Sequence, residues 1–160
     1  MINNLRIQNF KSWQDTGNMS FSKITGFFGP NSSGKTSILQ LLLMLKQTAE
    51  SSDRSQVLNF GNSDSLVNLG TFRDAIHHKY DQGATNGSSP QEVSSLGWSI
   101  SWDLPKALTI TSSESKGAVL FSPKNLKFSG SVREISGKSA YRVVSQNFNY
   151  HFDEEISSSK

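Results

Sequence analysis

Residues 27–39 read FFGPNSSGKTSIL, and the chain continues as QLLLMLK. A tight polar turn stands between two apolar segments. Gly29 to Thr36 fit the pattern G-x-x-x-x-G-K-[ST], and each position has a physical task. Gly29 and Gly34 permit backbone angles that a side chain would obstruct. The residues between them, including Asn31, Ser32 and Ser33, then turn amide N–H groups inward as an anion-binding nest. A helix starting directly after the loop, through Lys35, Thr36 and Ser37, adds its free N–H groups and the positive end of its dipole. Lys35 supplies a point charge for β- and γ-phosphates, and the Thr36 hydroxyl suits Mg²⁺, which takes oxygen ligands. The stretch predicts binding of ATP with Mg²⁺. A bare Gly/Ser turn before a core helix is the alternative, and it leaves the lysine and threonine unexplained.

The flanks supply the strand and helix that the pattern requires. KITGFFG, residues 23–29, predicts a short buried strand ending in glycine, and residues 34 to about 49 predict a helix apolar on most faces, hence buried rather than amphipathic. Upstream, NLRIQNF and NMSFS alternate as strands do. Downstream, ESSDRSQ predicts a loop. DSLVNLGTFRDAIHHKYD predicts a short strand and a turn of helix, and QGATNGSSPQEVSSLG predicts a polar loop. From Trp98 onward WSISWDL, ALTITSS, AVLFSP, LKFSGSVREI and YRVVSQNFNYHF alternate like antiparallel strands. The expected class is therefore α/β with α+β character. It comprises a P-loop NTPase unit, with a mixed sheet wrapping one buried helix, plus an antiparallel β-meander; that the unit is an N-terminal half-lobe is implied by the family resemblance of its loop. Residues 1–160 form one unit in three parts: strands, loop and helix (1–50), a linker with short elements (51–97), and an antiparallel layer (98–153). An all-parallel α/β domain would alternate strand and helix throughout; this chain stops after one such unit.

Bulk properties narrow the setting. With 160 residues the chain can bury a core without staples. Its formal charge is +3, and the scattered Lys and Arg residues predict no nucleic-acid surface by themselves. There is no cysteine, which excludes disulfides and thiolate metal sites and is compatible with a reducing cytoplasm. MINNLRIQNFKSW lacks the apolar core of a signal peptide. The longest apolar run, Ile38 to Leu45, falls short of the ~20 residues that span a bilayer. A soluble cytoplasmic protein with no membrane partner is expected.

The wording of the loop is more specific than its pattern. GPNSSGKTS, preceded by LRIQNFKSW, resembles the N-terminal lobe of the SMC/RecF/OLD-type branch of ABC-like, AAA-family P-loop ATPases. The likeness covers residues 2–50. A weaker likeness in LVNLGTFRDAIHH is to bacterial members of unassigned role, many found near phage-defence genes; residues 98–152 match in style only. The resemblance implies that Lys11 and Ser12, after the Asn-Phe pair, lie near the nucleotide. It also implies hydrolysis by the full-length ATPase, with a C-terminal lobe and a second protomer (a homodimer or higher oligomer) as partners. The same likeness implies control of a nuclease or DNA-acting effector, in antiviral defence.

Hydrolysis in that branch needs a strand ending in Asp-Glu and a Ser-Gly signature loop. NYHFDEE ends in Asp153-Glu154, but Asn149 and His151 interrupt the apolar run of a buried parallel strand. Ser129-Gly130 sits between strand-like residues rather than opening a helix. No catalytic residue is assigned. The chain is expected to lack the C-terminal lobe and to be inactive alone. His77 and His78 with Asp74 and Asp81 make a poor metal cluster, because adjacent side chains diverge. Asp74, His77 and Gln146 are candidates for the family's glutamine-bearing loop. Trp98 and Trp102 face one side of a strand, as packing residues. The alternative function is a non-catalytic nucleotide-binding module that regulates a partner.

Overall fold

The computed structural model describes residues 1–53, 55–77, 95–104, 106, 110–111, 119–121, 123–136 and 141–153. Strand β1 (Ile2–Phe10) organises the sheet. Leu5 and Ile7 are wholly buried while Arg6 and Gln8, which alternate with them, are exposed, the period-two signature of a half-buried strand. One edge of β1 is shared by two short strands. β2 (Trp13–Asp15) pairs Gln8 with Asp15 and Phe10 with Trp13, and β3 (Met19–Ser20) pairs Leu5 with Met19. The other edge takes β4 (Ser95–Asp103), with Leu5 opposite Ile100 and Ile7 opposite Trp98. Two minor strands, β5 (Ile110–Thr111) and β6 (Val119–Phe121), pair with each other. The long strands β7 (Asn125–Ser136) and β8 (Tyr141–Asp153) extend the main sheet to the order β2-β1-β4-β7-β8.

Residues directly opposite in a ladder share a face. Leu5, Ile7, Leu96, Trp98, Ile100 and Val132 therefore form one apolar surface. The other surface is polar, and a shallow groove of about 280 Å³ runs over it past Arg6, Gln8, Ser99, Lys127, Ser129 and Ser131. Helix α1 (Lys35–Glu50) contributes Ile38, Leu41 and Met44 to the same core as the apolar face. Its last buried residue, Gln47, ties down the segment that follows. The Gln47 Nε2 group donates to Asn59 O (2.8 Å) and Val67 O (3.1 Å), and its Oε1 accepts from Val67 N. A single turn of helix, α2 (Phe72–Ala75), closes this part, with Phe72 and Ala75 buried.

The helix after the loop, the helical turn near residue 73 and the antiparallel strands agree with the sequence expectations. Four expectations need correction. Every strand pairing among the described residues is antiparallel, so the sheet they form is antiparallel rather than mixed. Residues 23–29 are not a buried strand: Ile24 and Phe28 are 92% and 94% exposed. Among the described residues this segment has no ladder partner, because β2 and β3 already occupy the free edge of β1. Helix α1 is buried on one side only, with Leu39 52% and Leu43 36% exposed. No strand precedes α2 among residues 64–71. Most of the expected polar loop before Trp98 lies outside the described residues, and its last residues, from Ser95, belong to β4.

Candidate nucleotide site

The loop from Gly29 to Gly34 departs from ordinary backbone at three points. Gly29 has φ 148°, Ser32 63° and Gly34 89°. Ser32 pays for a left-handed conformation, at roughly 1–3 kcal/mol for a residue with a Cβ. The other non-glycine residues with positive φ among those described are Asn9 and Lys11, at the end of β1 and in the turn that follows it. Lys11 directly precedes Ser12, which packs on the loop, whereas the Asn9 side chain donates to Ser95 O on β4; left-handed backbone at Ser32 and Lys11 is strain of the kind that collects at ligand sites.

Helix α1 begins at Lys35 with no side chain capping it and no acidic residue in its first turn. Ser37 N–H donates to Gly34 O, and the Lys35 and Thr36 N–H groups are left for another acceptor. The Lys35 side chain folds back across the loop. Its Nζ donates to Gly29 O (2.8 Å) and Pro30 O (2.6 Å) and lies 3.5 Å from Ser33 Oγ. An ammonium has three donors, so two carbonyls at the loop's start already orient it. Thr36 is exposed and Ser37 buried; Asn31 and Ser32 are exposed.

The turn between β1 and β2 packs against this loop. A Cβ built on Gly34 would lie 3.0 Å from Ser12 Cβ and 2.7 Å from Trp13 Nε1. The Trp13 indole N–H donates to Gly34 O at 3.0 Å. Lys11 is held from behind: its N–H donates to Ala75 O (2.7 Å), and its carbonyl lies 2.8 Å from His77 Nδ1. A carbonyl only accepts, so His77 carries its proton on Nδ1. Further along the hairpin, Arg6 donates to Asp15 at 3.0 and 2.6 Å. That guanidinium holds the Asp15 carboxyl well below the usual carboxylate range.

The structure thus brings Ser12 beside the loop and ties Lys11, through its backbone, to α2. Trp13 is the neighbour that sequence reasoning missed. A single tryptophan in a polar turn carries no periodic signal, and its partner lies 21 residues away. Asp74 and His77 are committed elsewhere. Asp74 accepts from Thr71 N–H and Oγ1–H, both at 2.7 Å, as a capping box for α2, and His77 serves the Lys11 carbonyl. His78 and Asp81 lie outside the described residues, and among those described no group of three or more acidic or histidine residues could hold a metal. Asp153 ends β8 opposite Asn125 in an antiparallel ladder, and Glu154 lies outside the described residues. Ser129 and Gly130 lie inside β7, opposite Ser99 and Trp98. Gln146 falls within β8, and its side chain lies outside the description. Trp98 is buried against Phe128, with ring centroids 6.1 Å apart. Trp102 packs on the core edge.

An antiparallel sheet backing one helix, with a glycine-flanked loop at the head of that helix, is an α/β arrangement consistent with a P-loop fold. A family model for the AAA ATPase domain matches residues 1–156. The chain belongs to that family, whose members generally bind ATP with Mg²⁺. Comparison with curated proteins and with solved structures gave no match. No helix among the described residues is long and apolar enough to cross a membrane.

Proposed function

We propose that the chain is the ATP–Mg²⁺-binding lobe of an SMC/RecF/OLD-type ABC-like ATPase. The carrying observation is the loop itself: left-handed residues at 29, 32 and 34, an uncapped helix N-terminus, and the Lys35 ammonium held over the opening. In this reading the N–H groups of Asn31, Ser32, Gly34, Lys35 and Thr36 hold the β- and γ-phosphates, while those of Ser33 and Ser37 stay on Pro30 O and Gly34 O. Lys35 exchanges its carbonyl partners for phosphate oxygens. The exposed Thr36 hydroxyl fits an oxygen-seeking Mg²⁺, which when bound would screen the phosphate charge. Lys11 and Ser12 border the same site, as the resemblance implies.

Hydrolysis depends, in this reading, on a C-terminal lobe and a second protomer. The uncovered apolar residues support a missing cover: Leu39 and Leu43 on α1, and Ile24 and Phe28 in the segment before the loop. A nuclease or DNA-acting effector is the proposed partner, anti-phage defence the proposed role and the cytoplasm the proposed compartment. These last three rest on the family likeness, not on a residue of this chain.

The test is calorimetry of the chain with ATP and Mg²⁺. Measurable binding with negligible turnover is expected, and Lys35→Ala is expected to abolish binding. A Lys35→Ala protein that binds ATP as tightly as the parent would overturn the assignment of the loop.

A further inference from the structure

We propose that Trp13 is a positioning residue for the anion loop: by holding the Gly34 carbonyl, its indole N–H aims the Lys35 amide at the bound phosphate. The proposal rests on the nucleotide reading above and adds a residue that neither the loop pattern nor the resemblance singles out.

The argument starts from the peptide plane. A trans peptide points its C=O and its following N–H in opposite directions. The Gly34 carbonyl points at the β1–β2 turn, where Trp13 Nε1 lies 3.0 Å away. The Lys35 N–H therefore points away from that turn. As a first-turn amide of α1 it has no partner within the helix, and no side chain caps it.

Gly34 would not hold this plane alone. With φ 89° and no Cβ it has wide conformational freedom. Its carbonyl also accepts from Ser37 N at 3.1 Å, but that donor belongs to the helix and moves with it. The indole bond is the hold that comes from a separate element. Its mounting is firm: Trp13 pairs with Phe10, which is wholly buried, and the neighbouring Lys11 is bonded to Ala75. The fit is close as well, since a methyl group on Gly34 would strike the indole nitrogen. A half-buried tryptophan whose N–H finds a loop carbonyl rather than water is spending that donor on geometry.

The experiment compares the parent chain with Trp13→Phe, which keeps a ring and removes the donor. ATP and pyrophosphate binding are both measured by calorimetry with Mg²⁺. Trp13→Phe is expected to weaken both ligands by a similar factor, roughly three- to tenfold, as loss of one hydrogen bond implies. Unimpaired binding of both ligands overturns the proposal and leaves the nucleotide reading standing. Weakening of ATP alone also overturns it, because Trp13 would then contact the base rather than orient the phosphate loop. In the parent protein, the Trp13 indole proton should exchange slowly with solvent and shift when pyrophosphate is added, while that of Trp102 should not shift. A freely exchanging, unshifted Trp13 indole overturns the proposal even if Trp13→Phe fails to fold. A parent chain that binds neither ligand removes the nucleotide reading and this proposal together.

Discussion

Gly34 is where three demands meet. It is the residue that leads into the helix, it adopts a left-handed backbone, and it leaves room for Trp13 and Ser12. Substituting Gly34→Ala is therefore expected to cost roughly 1–3 kcal/mol, combining left-handed strain with a clash against the indole. Urea unfolding checks this; an unchanged midpoint would mean that the loop relaxes freely. The roles of Gly29, Gly34 and Lys35 were legible in the sequence because the pattern is local: its spacing carries the geometry. Trp13 was not legible, because its contact depends on how the β1–β2 turn folds onto a loop distant in the chain. Asp74 misled for a related reason. A carboxylate three residues after a threonine reads equally well as a ligand or a cap, and the short hydrogen bonds to Thr71 decide for the cap.

Among the elements, α1 shows how an apolar sequence can mislead about burial. Its run of leucines predicts a helix covered all round, yet only the Ile38–Leu41–Met44 stripe, with Ser37 and Gln47, is buried. The helix itself was legible because periodicity and the preceding glycine fix it. Which faces are covered depends on what packs there, and that information is not in the helix. Gln47 is the informative exception, a polar residue in the buried stripe. Its amide satisfies three backbone groups of residues 59 and 67. Gln47→Ala would leave those groups buried and unpaired, at a cost of about 1–3 kcal/mol. Gln47→Leu, although apolar, is expected to be no better, since the carbonyls remain unsatisfied. Chemical denaturation of both variants checks the point, and a Gln47→Leu protein as stable as the parent would refute it. The strand expected at residues 23–29 failed for an energetic reason. Apolar, β-prone residues form a strand only where a ladder offers partners for the backbone, and the edge of β1 was already taken.

For the whole molecule, the described surface combines a polar sheet face with exposed apolar residues on α1 and before the loop. If a further lobe covers the exposed leucines of α1, they contribute little to the stability of this chain alone. Leu39→Gln with Leu43→Gln is expected to shift the unfolding free energy by no more than about 0.5 kcal/mol for each exposed site. The same double variant should lower binding of an apolar dye and reduce self-association in sedimentation. A large loss of stability would show that these leucines already serve the core of this chain. Antiparallel character was legible from the alternation after Trp98, whereas strand order was not, because alternation says which face a residue occupies and not which strand lies beside it. That order has a kinetic consequence. β1 finds β2 and β3 close by, but its other edge waits for β4, and the start of the chain is held by the Met1 ammonium donating to Asp103 O. Closing so long a loop costs entropy before any contact repays it. The β1–β2 hairpin beside the loop can thus form early from neighbours, while the buried Trp98–Phe128 ring pair arrives with the slow, long-range half of folding.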